Sequence, residues 1–183
     1  MRKLKYHEHK LLKKVDFLTW KSESSKREAS VVRRYRLQDA GDYKKYNKLC
    51  GLVTRLVSLL KKMDQRDPVR EELTEKLLLK LYRVGAIPTQ KSLEQCNRLS
   101  VSSFCRRRLA VVLVRLNMAE SLKDACKFVE HGHVRVGPEP VTNPAYLVTR
   151  DLEDHVTWTD SSSIKRKVQK YNDKLDDFEL LQA

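Results

Sequence analysis

The sequence predicts a mainly helical α+β protein, and three observations carry that expectation. Apolar residues recur at i, i+3, i+4 and i+7 through four segments between residues 42 and 129, the spacing that lines one face of an α-helix. The period then shortens to two at "HVRVGPEPV", where Val134 and Val136 alternate with His133 and Arg135 ahead of a Gly-Pro turn. Finally, 38 Lys+Arg against 24 Asp+Glu give a net charge of +14 over 183 residues, which suits a folded core carrying a polyanion-binding surface.

Residues 1–41 read as a basic N-terminal extension. From Met1 to Lys48 there are 15 Lys+Arg and 6 Asp+Glu, an excess of +9. Leu11, Leu12, Val15, Phe17, Leu18 and Trp20 interrupt the charge, so the segment is able to order on a partner. Residues 42–98 form a helical region. In "DYKKYNKLCGLVTRLVSLLKKM", Tyr46, Leu49, Val53, Leu56 and Leu60 share one face, with Gly51 weakening the middle. In "DPVREELTEKLLLKLYRVGAI", Asp67 caps, Pro68 takes the first helical position and Gly85 stops the helix.

"PTQKSLEQCNRLS" reads as a polar connector, and "VSSFCRRRLAVVLVRL" as the next helix, with Ser102 or Ser103 capping it and Leu109, Val112, Leu113 and Leu116 as its stripe. Ser121 and Asp124 resemble a capping box for a second short helix that carries Leu122, Ala125, Cys126 and Val129 and ends at Gly132. Strand signals follow at Val134–Val136, Tyr146–Val148 and Asp154–Trp158, with Tyr146 and Trp158 expected in the core of a small sheet. Residues 161–183 form a tail, basic first and acidic at Asp173, Asp176, Asp177 and Glu179, read as a helix or a partner-binding strip.

No run approaches the roughly 18 apolar residues of a membrane span. The N-terminus lacks the apolar core of a secretory signal, so a soluble intracellular protein is expected. Cys50, Cys96, Cys105 and Cys126 are scattered without a C-x-x-C pair and read as reduced packing residues. His131 and His133 have no convergent ligand pattern nearby, so no metal or other cofactor is expected. Nor does a phosphate loop or dinucleotide fingerprint occur.

Arg106, Arg107 and Arg108 pose the sharpest question. If they open a helix, three cations sit where its N–H groups already concentrate positive charge. An external anion would remove the conflict.

From Phe104 to Trp158 the chain resembles the RNA-binding domain first seen in small-subunit ribosomal protein four, the alpha-L motif. The pattern is Arg-Leu at the first helix, Ser-x-x-x-Ala at the second and Gly-His-Val-x-Val at the strand, here Arg108-Leu109, Ser121 to Ala125 and Gly132 to Val136. The resemblance places this domain at about residues 99–160. It implies that Arg106, Arg107, Arg108, Lys123, Lys127, His131, His133 and Arg135 grip structured RNA. Ala110 stands where bacterial copies often carry an acid, and Gly137-Pro138 where they often carry Asn-Gly.

The terminal blocks "RKLKYHEHKLLKKVDFLTW", "PAYLVTRDLEDHVTW", "DSSSIKRKV" and "DDFEL" extend the likeness. Over essentially the whole chain, the sequence resembles a family of subunits of the U3 small nucleolar ribonucleoprotein. That resemblance implies a nucleolar protein that binds U3 small nucleolar RNA and stabilises its pairing with pre-ribosomal RNA for early cleavages. It also implies a large phosphoprotein scaffold and a Brix-domain companion as partners in the small-subunit processome, with no membrane and no small-molecule substrate. Two other readings are a small-subunit ribosomal protein of the same family binding rRNA directly, and a protein-interaction adaptor. An enzyme would need a separate catalytic domain, for which this chain shows no motif.

Overall fold

The computed structural model describes residues 2–14 and 22–174. Two helices come from the basic extension, α1 (Tyr6–Lys14) and α2 (Ser22–Tyr35). No residue of α1 is buried. The end of α2 is different: Tyr35 and Leu37 are buried in a cluster with Tyr46, Cys50, Val101, Phe104 and Cys105. One apolar core therefore crosses the expected division at residue 41. Val15, Phe17, Leu18 and Trp20 lie outside the described residues, as do Asp176, Asp177 and Glu179 in the tail.

The helical region is α3 (Ala40–Lys62) and α4 (Pro68–Val84). Asp39 caps α3 by accepting from the Gly41 amide, and Asp67 caps α4 by accepting from Val69, supplying partners to otherwise orphaned N–H groups. Gly85 ends α4 in the left-handed conformation at φ 77°, as its position in the sequence predicts. The buried side of α3 is not the one expected. Tyr46, Cys50, Val57 and Leu60 are buried, whereas Leu49 and Leu56 are exposed. Apolar residues occupy more than half of this helix's circumference, so the packing partners choose which of them is covered.

The polar connector contains the short helix α5 (Glu94–Asn97), which buries Cys96 against Val57, Leu78, Leu81 and Ile87. The expected helix through the arginines is broken in two: α6 (Val101–Cys105) and α7 (Leu109–Arg115). Between them the chain turns at Arg106 and Arg107, becomes extended at Arg108 and pairs with residues 146–148: Val148 N–H donates to Arg107 O at 2.8 Å, and Leu109 N–H donates to Tyr146 O at 2.8 Å. Tyr146–Val148 thus pairs with the arginine link instead of forming a strand of the sheet.

Helix α8 (Leu122–Glu130) begins as predicted, with the Ser121 hydroxyl oxygen accepting from Asp124 N–H at 3.3 Å. The antiparallel sheet has order β2-β1-β3, with β1 (Val134–Val136), β2 (Glu139–Pro140) and β3 (Val156–Trp158). Between β2 and β3 lies the short helix α9 (Arg150–Glu153). A core of Leu109, Val112, Leu113, Ala125, Cys126, Val129, Val134 and Val148 joins α7, α8 and the sheet, with Tyr146 and Trp158 packed at its margin. The basic half of the tail forms α10 (Ser163–Tyr171). All four cysteines are free and buried, and burial pushes the Cys105 thiol up to about 11.

Candidate nucleic-acid interface

The arginine triplet does not act as one unit. Arg106 caps the C-terminal end of α6 and is exposed. Arg107 and Arg108 are turned inward, 5% and 2% exposed. Arg107 donates from Nε and Nη2 to Val148 O at 3.0 and 2.8 Å and pairs through Nη1 with Glu153 at 2.8 Å. Arg108 pairs with Asp42 at 2.7 Å and donates to the Tyr46 hydroxyl at 3.3 Å. The anions that relieve the charge conflict are therefore internal carboxylates. Arg107 and Arg108, expected as RNA contacts, are buried here with their guanidinium groups donating to protein oxygens.

These two ion pairs have consistent electrostatics. Burial raises the Asp42 carboxyl, but Arg108, helped by Lys45, more than offsets it and the group ends below its ordinary value. Burial likewise raises Glu153, and Arg107 and Arg115 bring it below its usual range. A carboxylate whose folded pKa is depressed stabilises the fold above its unfolded pKa of about 4 and loses that contribution as pH falls through the folded value. Melting temperature is therefore expected to hold between about pH 8 and 5 and to drop below about pH 4. In Asp42→Asn the acid-sensitive part of that drop should shrink, which thermal melts across the pH range would show.

Gly85 is fitted to the same junction. A Cβ there would meet Arg107 Nε at 2.7 Å and Cδ at 2.8 Å, in a backbone conformation of positive φ. Gly85→Ala is expected to cost about 1–3 kcal/mol in denaturant unfolding, more than an exposed α4 substitution such as Lys80→Ala.

The remaining candidates do come together. Lys123 and Lys127 stand one helical turn apart on α8 and are exposed, and His131 follows at its C-terminal cap. The His131 and His133 rings stack with centroids 6.1 Å apart. Arg135 on β1 donates to Thr157 Oγ1 at 3.0 Å and pairs with Asp160 at 2.8 Å, remaining partly open. Asp42, Glu153 and Asp160 serve the described arginine pairs, while Lys123, Lys127 and His131 are left facing outward.

Further cations that the sequence reading did not single out lie beside these residues. The loop after α2 lies against α8: Gln38 bonds Glu130, and Arg36 bears on the Cys126 thiol. Helix α10 starts at the strand corner itself, where Ser162 Oγ lies 3.1 Å from His133 Nδ1 and also accepts from Ile164 N–H. It sets Arg166, Lys167 and Lys170 in solvent, with Tyr171 89% exposed beside them. The sequence signal was present in "SSSIKRKVQKY", a serine cap followed by closely spaced cations, but its place beside His133 depends on the fold.

Two family descriptions match the chain, one on each side of the arginine link. Residues 3–106 match the family described as Ribosomal protein S4/S9 N-terminal domain, and residues 107–154 match the S4 domain. The chain belongs to the ribosomal protein S4 family. The boundary between the two family segments falls between Arg106 and Arg107. Arg108 then reaches back from the S4 domain to Asp42. Arg150 does the same, donating to Ile87 O at 2.8 Å while stacking over Tyr82 at 4.1 Å. Within the family, the chain is 54% identical over 181 residues to the U3 small nucleolar ribonucleoprotein protein IMP3 of Mus musculus, covering 98% of each. It is 49% identical over 180 residues to the protein of the same name from Saccharomyces cerevisiae, again covering 98% of each. More distantly, it is 27% identical over 152 residues to small ribosomal subunit protein uS4 of Hyperthermus butylicus, covering 82% of this chain and 85% of that protein.

Proposed function

We propose that this protein binds U3 small nucleolar RNA and pre-ribosomal RNA and holds them paired, as a component of the U3 small nucleolar ribonucleoprotein in the small-subunit processome. The observation that carries the reading is the full-length identity near 50% with U3 ribonucleoprotein proteins from mouse and yeast, in a chain whose S4 domain presents an outward row of cations. The action is binding and annealing, with no covalent step. Two RNA strands repel through their phosphates, and a protein of net charge +14 lowers the cost of bringing them together.

The contacts in this reading are Arg106, Lys123, Lys127, His131, His133 and Arg135, extended by Arg166, Lys167 and Lys170 of α10. Residues 99–160 form the RNA-binding unit, and Lys3, Lys5, Lys10, Lys13 and Lys14 around solvent-exposed α1 reach a second RNA segment. The setting is the nucleolus, with a large phosphoprotein scaffold and a Brix-domain protein as neighbours.

The test is annealing of a U3 RNA fragment to a matching pre-ribosomal RNA fragment, followed across salt concentration with the full chain and with a chain beginning at Ser22. That truncation spares Tyr35 and Leu37 in the core. Faster annealing of the matched pair than of a length-matched control, reduced by the truncation, supports the reading. Equal rates for matched and control RNA would sink it.

A further inference from the structure

We propose that the outer face of α3 is a docking surface for an acidic amphipathic helix of a partner protein. This inference stands apart from the RNA reading and does not depend on it. Leu49, Leu52, Leu56 and Leu59 are exposed by 42%, 50%, 38% and 54%. At 100° per residue they fall within about 80° of arc, a continuous row about 15 Å long at 1.5 Å per residue. Singly exposed leucines are ordinary, but four on one helix face form a patch of the kind that marks an interaction site.

The charge beside that row indicates what covers it. Lys44, Lys48, Arg55 and Lys62 are all exposed and cluster within about 40° of arc on the flank away from the core. After Asp42, α3 carries no acidic residue at all. The helix thus has three parallel stripes: a buried one (Tyr46, Cys50, Val57, Leu60), an exposed apolar one and a basic one. A partner helix with apolar residues at i, i+3, i+4 and i+7 and acids along one edge would cover the leucines and pair the cations together.

Other occupants fit less well. RNA would gain the cations but would leave four leucines against phosphate, and the exposed row contains no aromatic side chain for a base to stack on. A second copy of this chain, laid antiparallel on the same stripe about a two-fold axis, would set each basic row against its own copy.

The test uses the full chain and a fluorescent synthetic peptide of about 18 residues, spanning the row at 1.5 Å per residue, with leucines at helical spacing and glutamates between. Its controls are a scrambled peptide of the same composition and anionic phospholipid vesicles. The patterned peptide should bind at least roughly tenfold tighter than the scramble. Leu52→Asp/Leu56→Asp and Lys48→Glu/Arg55→Glu should each lose about that factor, with melting temperature unchanged and, for the leucine pair, RNA affinity unchanged.

Equal binding of patterned and scrambled peptides would overturn the proposal, as would preference for vesicles or self-association abolished by Leu52→Asp. In cells, a photo-crosslinking amino acid at position 52 should yield adducts to an acidic peptide with apolar residues at helical spacing. Adducts to RNA or to residues 175–183 of the same chain, or no adduct, would also overturn it.

Discussion

Arg108→Ala is expected to destabilise the protein by about 3–5 kcal/mol, the usual result of stripping one partner from a buried ion pair. Total stability of a domain is commonly about 5–15 kcal/mol, so the loss would leave a marginal fold. The cause is local. Asp42, 7% exposed, would keep its charge with only Lys45 at 3.3 Å to answer it, and the Tyr46 hydroxyl would lose its donor. Asp42→Leu/Arg108→Met should recover much of the loss, because removing both charges removes the desolvation cost with them. Urea unfolding of wild type, both single variants and the pair gives the coupling directly. A stable Arg108→Ala that has lost RNA affinity would instead return the arginine to the RNA surface.

The second large effect is on the opposite property. Lys123→Ala/Lys127→Ala/Lys167→Ala should leave unfolding nearly untouched, since all three side chains are exposed. It should lower RNA affinity roughly tenfold to a hundredfold near physiological salt. The slope of log affinity against log salt should flatten by about 0.7–0.9 for each phosphate that the variant no longer neutralises. Arg106→Ala alone should flatten it by at most one such step. A steep slope retained by the triple variant would place the RNA on another surface. Together with Arg108→Ala, this separates arginines that hold the molecule together from cations that meet its ligand.

That separation could not be read along the chain. Helix-start rules correctly place Asp67, Pro68 and Ser121, because a cap bonds to amides two or three residues away and all participants are neighbours in sequence. Gly85 and the period change at Val134 are equally local. The arginine triplet is not. Arg108 meets Asp42 across 66 residues and Arg107 meets Glu153 across 46, so two of three arginines that scan as exposed charge are buried. The same limit explains α3, where Leu49 and Leu56 satisfy helical spacing as well as Cys50 and Val57 do. Only packing against Leu78, Leu81 and Phe104 shows which side is inside.

By itself, then, the sequence determined the basic excess and the mainly helical α+β class, and it placed α3, α4 and α8, the caps Asp67 and Ser121 and the stop at Gly85, which rest on interactions within a few residues. It did not place the break between α6 and α7, where Ser102 and Ser103 lie inside α6 and cap nothing. Only the tertiary structure decided which cations remain free for a ligand. A guanidinium is neutralised by whatever carboxylate the fold brings within about 3 Å of it, and that carboxylate's distance along the chain has no bearing on the energy.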